Sequence, residues 1–154
     1  GYDRQDLLAR GSIMFSRTRD YAQRIVQSFQ VVTGGIGAHA GSLSGGNLQK
    51  FIIGRELLQQ PKVLVVAHPT WGVDAGAAAA IHTALLDLAR QGTAILVGSQ
   101  DLDELLHISD RIAVLSAGRL SETMVTAEAD IGRIGMLMGG QGNIDGGGKR
   151  AAQA

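Results

Sequence analysis

The stretch LSGGNLQKFIIGRELL, residues 43–58, decides how this chain folds and what it can bind. Apolar residues recur at helical spacing over residues 49–58, so Ser44 and the two glycines after it fall at a helix start, with Ser44 as the natural N-cap. The unpaired N–H groups and the positive pole of such a helix end attract an anion by about 0.3–1 kcal/mol per charge. Because Ser-Gly-Gly is also a common flexible turn, the stretch alone leaves a phosphate-binding helix start and an ordinary turn both open.

Runs of β-branched residues and leucine downstream of this stretch predict strands. They are continuous rather than alternating, as in strands buried on both faces of a parallel sheet, and they occupy residues 63–66, 95–97 and 112–115. Helix-length segments separate them, at residues 76–90, which Gly92 ends, and at residues 102–107. Strands that alternate with helices predict an α/β fold with the sheet inside.

Ligands of such folds bind beyond the carboxyl ends of the strands. Ala67 and His68 follow the first strand, and Ser99 and Gln100 follow the second. No metal site is predicted, because the histidines lack ligand spacing. The acidic residues at the next helix start are interpreted as first-turn acids favoured by the helix dipole: Asp101, Asp103 and Glu104.

From residue 43 to about residue 120 the chain resembles an ATP-binding cassette, the nucleotide-binding domain of ABC transporters. The matching landmarks stand in the family's order. They are the signature motif (43–47), in the Asn-ending form of simple sugar and nucleoside importers, the Walker B strand (61–70), the D-loop (71–74), the switch segment (94–104) and the closing strands (109–120). The resemblance implies part of a P-loop NTPase (RecA-like) core together with part of the helical subdomain.

The chain departs from this family at the strand ends. A working cassette ends its Walker B strand with an aspartate that helps to hold magnesium and a glutamate that polarises water, and here those positions hold Ala67 and His68. Alanine offers no oxygen to a hard cation. Gln100 stands where the family has its switch histidine, and it keeps hydrogen bonding but loses the titratable group. We therefore expect a catalytically degenerate site.

The resemblance also implies a role for a cassette that is inert at its own site. In the family each ATP lies between the phosphate loop of one cassette and the signature motif of its partner. This chain is then expected to clamp the γ-phosphate of a nucleotide held by another cassette. The residues expected to bind that nucleotide are Leu43, Ser44, Gly45, Gly46 and Asn47, and Asp74 is expected to help communication across the dimer. Two alternatives stay open: a weak ATPase in which His68 replaces the glutamate, and a regulatory cassette without a transporter.

A Walker A loop, Gly-x-x-x-x-Gly-Lys-Ser/Thr, does not occur in the 154 residues. We therefore expect a C-terminal fragment, from the second cassette of a tandem chain, that binds no ATP or Mg²⁺ alone but meets both in the assembled transporter. Residues 1–42 are interpreted as the remainder of the helical subdomain, with a helix over residues 18–29. Residues 43–138 are assigned to the signature helix and the α/β core, and the Gly-rich residues 139–154 to a disordered tail.

Composition limits the partners. The formal charge is zero, with 14 basic and 14 acidic residues, so there is no electrostatic argument for nucleic acid. There is no cysteine and no apolar run of the roughly 18 residues that a membrane span requires. The expected partners are a second cassette, an integral membrane permease and, indirectly, a solute-binding protein. The expected location is the cytoplasmic face of the plasma membrane, as a peripheral subunit.

Overall fold

The computed structural model describes residues 7–9 and 12–140 of the chain. Apart from its first two residues, the tail predicted over residues 139–154 lies outside this described part. The chain divides into two compact units, residues 1–100 and 101–154. Helices and strands alternate over residues 63–112, which confirms the predicted α/β class.

The first unit carries the signature helix and a parallel strand pair. Its elements in chain order are β1 (Leu8–Ala9), β2 (Ser12–Ile13), α1 (Phe15–Ser28), a 3-10 turn (Ala40–Ser42), α2 (Gly45–Leu57), β3 (Val63–Ala67), α3 (Ala75–Arg90) and β4 (Ala94–Gly98). Strands β1 and β2 are antiparallel. Strands β3 and β4 are parallel and in register from Val63 opposite Ala94 to Ala67 opposite Gly98.

Helices α1 and α2 pack closely because of two features that the sequence carries. Helix α1 begins at Phe15, three residues before the predicted start, and buries Tyr21 and Ile25, which are four residues apart and lie on one helix face. The Tyr21 hydroxyl donates a hydrogen bond to the carbonyl oxygen of Arg55 at 2.5 Å. At Gly54 a Cβ would overlap the ring of Phe29, so only glycine allows this approach.

The expectation that the strands of the parallel sheet are buried on both faces is wrong for β3 and β4. On β3, Leu64 is buried, but Val63 and Val65 are 66% and 70% exposed, and Leu96 on β4 is 65% exposed. The reason is that the parallel sheet has two strands within the described residues, and none of those residues forms a layer over the face that carries Val63, Val65 and Leu96. The inner layer is supplied by α3, which buries Ala77, Ile81, Leu85 and Leu88.

The second unit is built from short elements around a small core. In chain order they are α4 (Leu102–Ile108), β5 (Arg111–Ile112), β6 (Leu115–Ser116), β7 (Arg119–Leu120), β8 (Met124–Val125), a 3-10 turn (Thr126–Glu128) and α5 (Ile131–Met138). Strand β5 pairs with β8 and β6 with β7, both antiparallel. The core contains Val114, Ile134 and Leu137.

Two expectations about this unit need correction. The strand predicted over residues 112–115 is two strands, because β5 and β6 pair with different partners. The sequence predicts a last helix over residues 127–138, but α5 begins at Ile131, because the Asp130 side chain accepts a hydrogen bond from the N–H of Gly132 at 2.8 Å and caps the helix there.

Candidate functional site

Helix α2 starts where the sequence predicted, at the two glycines after Ser44. Ser44 has extended backbone angles, and its hydroxyl accepts hydrogen bonds from the Asn47 backbone N–H at 3.4 Å and from the Asn47 side-chain amide at 2.9 Å. The side-chain oxygen Oδ1 of Asn47 accepts a hydrogen bond from the Val32 N–H at 2.8 Å. Ser44 is therefore the N-cap, and Asn47 ties the helix start to the segment that follows α1.

The two glycines of the signature segment, residues 43–47, face different surroundings. A Cβ at Gly45 would meet nothing within 4 Å. A Cβ at Gly46 would lie 2.7 Å from the carbonyl oxygen of Gly72. Gly46 is thus required for the close approach of the loop after β3, whereas Gly45 leaves open space beyond the helix end.

The start of α2 offers donors to an anion. The N–H groups of Gly45 and Gly46 lie in the first turn, where no preceding helical carbonyl exists, and no acceptor among the described residues replaces it. Ser44 and Gly45 are exposed. Free donors, an open approach and the positive helix pole together fit a phosphate oxygen.

Leu43 lies on the other side of the cap and serves packing. It is half-buried and lines a small apolar cavity of about 90 Å³ together with Val26, Val31 and Phe51. The preceding 3-10 turn hydrogen-bonds to Leu43 through the carbonyl of Ala40 at 3.1 Å. The sequence predicts a flexible loop over residues 34–41, but its last two residues instead begin this 3-10 turn.

The end of β3 offers much less chemistry. Ala67 is exposed and carries only a methyl group. His68 has a positive φ of 47°, a region in which histidine is among the more frequent non-glycine residues, and its N–H donates to the Gly98 carbonyl at 2.7 Å. Its ring meets Trp71 edge-on, with centroids 5.5 Å apart, while Trp71 is 70% exposed.

The donor set at this strand end does not fit magnesium. The cation prefers several oxygen ligands, and Ala67 and His68 side chains provide none. Gln100 is exposed and stands two residues after the end of β4. Asp101 accepts the N–H of Glu104 at 3.0 Å as the N-cap of α4, and Asp103 and Glu104 lie in the first turn, where the helix dipole favours acids. Across the described residues, no group of three or more His, Cys, Asp or Glu side chains is placed to hold a metal ion.

Two polar residues of α2 that the sequence reasoning missed connect the helix start to the strand end. The Gln49 side-chain amide donates to the carbonyl oxygens of His68 and Pro69 at 3.0 and 3.2 Å. The Lys50 ammonium lies 3.0 Å from a carboxylate oxygen of Asp74. The available signal was their position: two polar side chains on a helix whose later turns bury Ile53 and Leu57.

Asp74 has two partners. Its carboxylate caps α3 by accepting the Ala77 N–H at 2.8 Å, and it pairs with Lys50, whose side chain is only 13% exposed against 67% for Asp74. The Ala77 N–H, followed by Lys50, lowers the pKa of the Asp74 carboxyl below its ordinary value of 3.8. The carboxylate therefore stays ionised at the start of α3.

The chain is similar in sequence to import ATP-binding proteins. It is 41% identical over 143 residues to the glucose import ATP-binding protein TsgD13 of Haloferax volcanii, an alignment that covers 91% of this chain and 26% of that protein. It is 39% identical over 135 residues to the nucleoside import ATP-binding protein NupA of Lactococcus lactis subsp. cremoris, over 88% of this chain and 26% of that protein. The chain thus spans about a quarter of the length of these relatives. No family model matches the chain.

The fold is similar to that of solved cassettes. A dimeric, post-hydrolysis structure of the ATP-binding cassette MJ0796 bound to ADP and Pi superposes with a TM-score of 0.65 at 22% identity, over 77% of this chain and 51% of that one. This likeness confirms the predicted fold, part of a P-loop NTPase (RecA-like) core. Within the described residues, no helix combines the length and the apolar character needed to cross a membrane.

Proposed function

Because the chain belongs to the ATP-binding cassette family, we propose that it acts as the signature-contributing part of an importer's ATP-binding subunit, with sugars or nucleosides as the imported solutes. Its helix α2 start clamps the γ-phosphate of a nucleotide held by a second cassette. Its own strand end is degenerate and does not catalyse hydrolysis.

The observation that carries this proposal is the open start of α2. The first-turn N–H groups of Gly45 and Gly46 are without acceptors from the described residues, and a side chain at Gly45 would meet open space. Because no cradle from residues 7–9 and 12–140 closes over those groups, a phosphate that they bind is presented by another cassette. A nucleotide held by a partner cassette meets that geometry.

The strand end supports the second half of the proposal. Metal-assisted phosphoryl transfer needs oxygen ligands for Mg²⁺ and a residue that orients water. Ala67 has neither function, and the ring of His68 lies against Trp71. In the assembled transporter ATP and Mg²⁺ are therefore bound mainly by the partner cassette, and this chain adds backbone donors to the phosphate.

The remaining partners follow from the proposed family role. The solute crosses through an integral membrane permease, and the cassette is peripheral on the cytoplasmic face of the membrane. A solute-binding protein interacts with it only through that permease. The relatives for glucose and nucleoside import support this solute range.

Photolabelling tests the clamp directly. The complete ATP-binding protein that contains this chain is assembled with its partner and irradiated with an ATP analogue that carries an aryl azide on the γ-phosphate. Peptide mapping is expected to find label on residues 43–47. Gly45→Glu is expected to abolish that label, because it places a negative charge beside the phosphate, while Gly45→Ala is expected to retain it.

The two variants form a matched pair. Neither side chain meets an atom within 4 Å at its Cβ, and a glutamate in the first turn suits the helix dipole, so loss of folding does not explain loss of label. Label confined to the end of β3, or label at residues 43–47 that Gly45→Glu leaves unchanged, would contradict the proposal.

A further inference from the structure

Three contacts join one side of the α2 start to the loop after β3, which we call loop 68–74. Gly46 allows the carbonyl of Gly72 to approach the helix backbone. One turn later, Gln49 donates to two successive carbonyls, and Lys50 pairs with Asp74. Loop 68–74 is thus held at both of its ends by adjacent residues of a single helix.

Lys50 and Asp74 differ in exposure: the lysine is nearly buried and the aspartate is exposed. The Lys50 side chain is 13% exposed, and lysines that are nearly buried need a partner for their charge. Asp74, at the same time, caps α3 through the Ala77 N–H. The pair therefore connects the start of α2 to the start of α3 through one carboxylate.

Gln49 restrains the other end of the loop. His68 has a positive φ, and its carbonyl oxygen accepts both the Gln49 amide at 3.0 Å and the Trp71 N–H at 3.1 Å. The same Gln49 amide reaches the Pro69 carbonyl at 3.2 Å. Gln49 thus ties the first two carbonyls of loop 68–74 to α2.

We propose that Gln49 and Lys50 are positioning residues that fasten loop 68–74 to α2, so that the signature segment and Asp74 meet the partner cassette as one rigid piece. This inference rests on the proposed function for its consequence, and on the contacts themselves for the fastening. Neither residue touches the phosphate; each acts through the loop that it holds.

Four variants distinguish the charge of Lys50, its aliphatic side chain, the helix cap at Asp74 and the Gln49 amide. Lys50→Met keeps an unbranched stem without charge, and Lys50→Arg keeps the charge. Asp74→Asn removes the carboxylate charge but retains an N-cap for α3, because asparagine caps helices about as well as aspartate. Gln49→Met removes the amide from the other tether.

Amide hydrogen exchange in the chain measures the fastening. Lys50→Met is expected to speed exchange at Trp71 and Val73 about two- to fivefold, the range of a partly exposed ion pair, and Gln49→Met about two- to tenfold. Lys50→Arg is expected to restore the slow rate, and Lys50→Met in the Asp74→Asn background to add nothing. Unchanged exchange in Lys50→Met, or a full additional effect in the Asp74→Asn background, would overturn the fastening.

ATP turnover by the assembled protein measures the consequence. Lys50→Met is expected to lower kcat by a factor similar to its exchange effect with KM unchanged, and Lys50→Arg to recover it. Faster exchange with an unchanged kcat would overturn the positioning role and reduce the pair to a structural contact. If the proposed function is wrong, the γ-phosphate label will be absent from residues 43–47. In that case the exchange rates still show whether Gln49 and Lys50 fasten loop 68–74.

Discussion

The start of α2 and the end of β3 lie close together in one unit, yet they differ in what they can do. The helix start presents backbone N–H groups, a serine cap and open space at Gly45. The strand end presents a methyl group at Ala67 and a histidine ring packed on Trp71. A site made of backbone donors persists wherever the helix forms, whereas a site made of side-chain oxygens is lost with two substitutions.

The two glycines at the start of α2 are expected to differ in their effect on stability. Gly46→Ala is expected to lower the free energy of unfolding by about 1–3 kcal/mol, because its Cβ would lie 2.7 Å from the Gly72 carbonyl, which is backbone and cannot rotate away. Gly45→Ala is expected to raise it by about 0.5–1 kcal/mol, as alanine does within a helix. Urea unfolding of the chain measures both values.

Two results for Gly45→Ala and Gly46→Ala would contradict this expectation. Equal losses of stability at the two positions would mean that Gly45 is also held against neighbours, and the open approach to the helix end would then be absent. A stable Gly46→Ala chain would mean that the loop does not approach the helix as closely as 2.7 Å at this point.

Titration of Asp74, in the loop after β3, is expected to change the free energy of unfolding by a smaller amount. Because the pKa of its carboxyl is lowered in the folded chain, the stability that it contributes is fully present above the ordinary value of 3.8 and is lost as the pH falls through the folded pKa. The unfolding free energy of the unmodified chain should therefore fall more steeply below pH 3.8 than that of Asp74→Asn.

Carbon-detected NMR of the carboxyl provides the matching measurement. Lys50→Met is expected to raise the pKa of Asp74 only part of the way towards 3.8, because the Ala77 N–H is the larger cause of the lowering. An Asp74 pKa at or above its ordinary value in the unmodified chain would show that neither the cap nor Lys50 holds the carboxylate.

The parts of the site that the sequence predicted are local ones. Ser44 caps α2 because a hydroxyl, the next N–H groups and the following apolar spacing all lie within one turn. The parallel pairing of β3 with β4 followed from two apolar runs separated by a helix. Local chemistry and periodicity were sufficient for both.

The parts that the sequence missed depend on residues that are distant along the chain. Gln49 meets a carbonyl 19 residues away, and Lys50 meets Asp74, and neither separation is encoded in helical spacing. Burial of Val65 was predicted from its β-branched neighbours, but burial also depends on which layers cover the sheet, and here its face is open. Periodicity identifies a strand but not its neighbours.

If this chain supplies backbone donors to another cassette's nucleotide while its own strand end is inert, ATP turnover by the assembled protein depends on the helix start and not on the strand end. Gly45→Glu is expected to lower turnover by about 100-fold or more, because two like charges about 4 Å apart near a protein surface repel each other by about 4 kcal/mol. His68→Asn, which removes the imidazole but tolerates the positive φ, is expected to leave turnover unchanged. The opposite pattern, a large loss in His68→Asn on the scale of about 10²–10⁴ for a general base with little loss in Gly45→Glu, would contradict the claim.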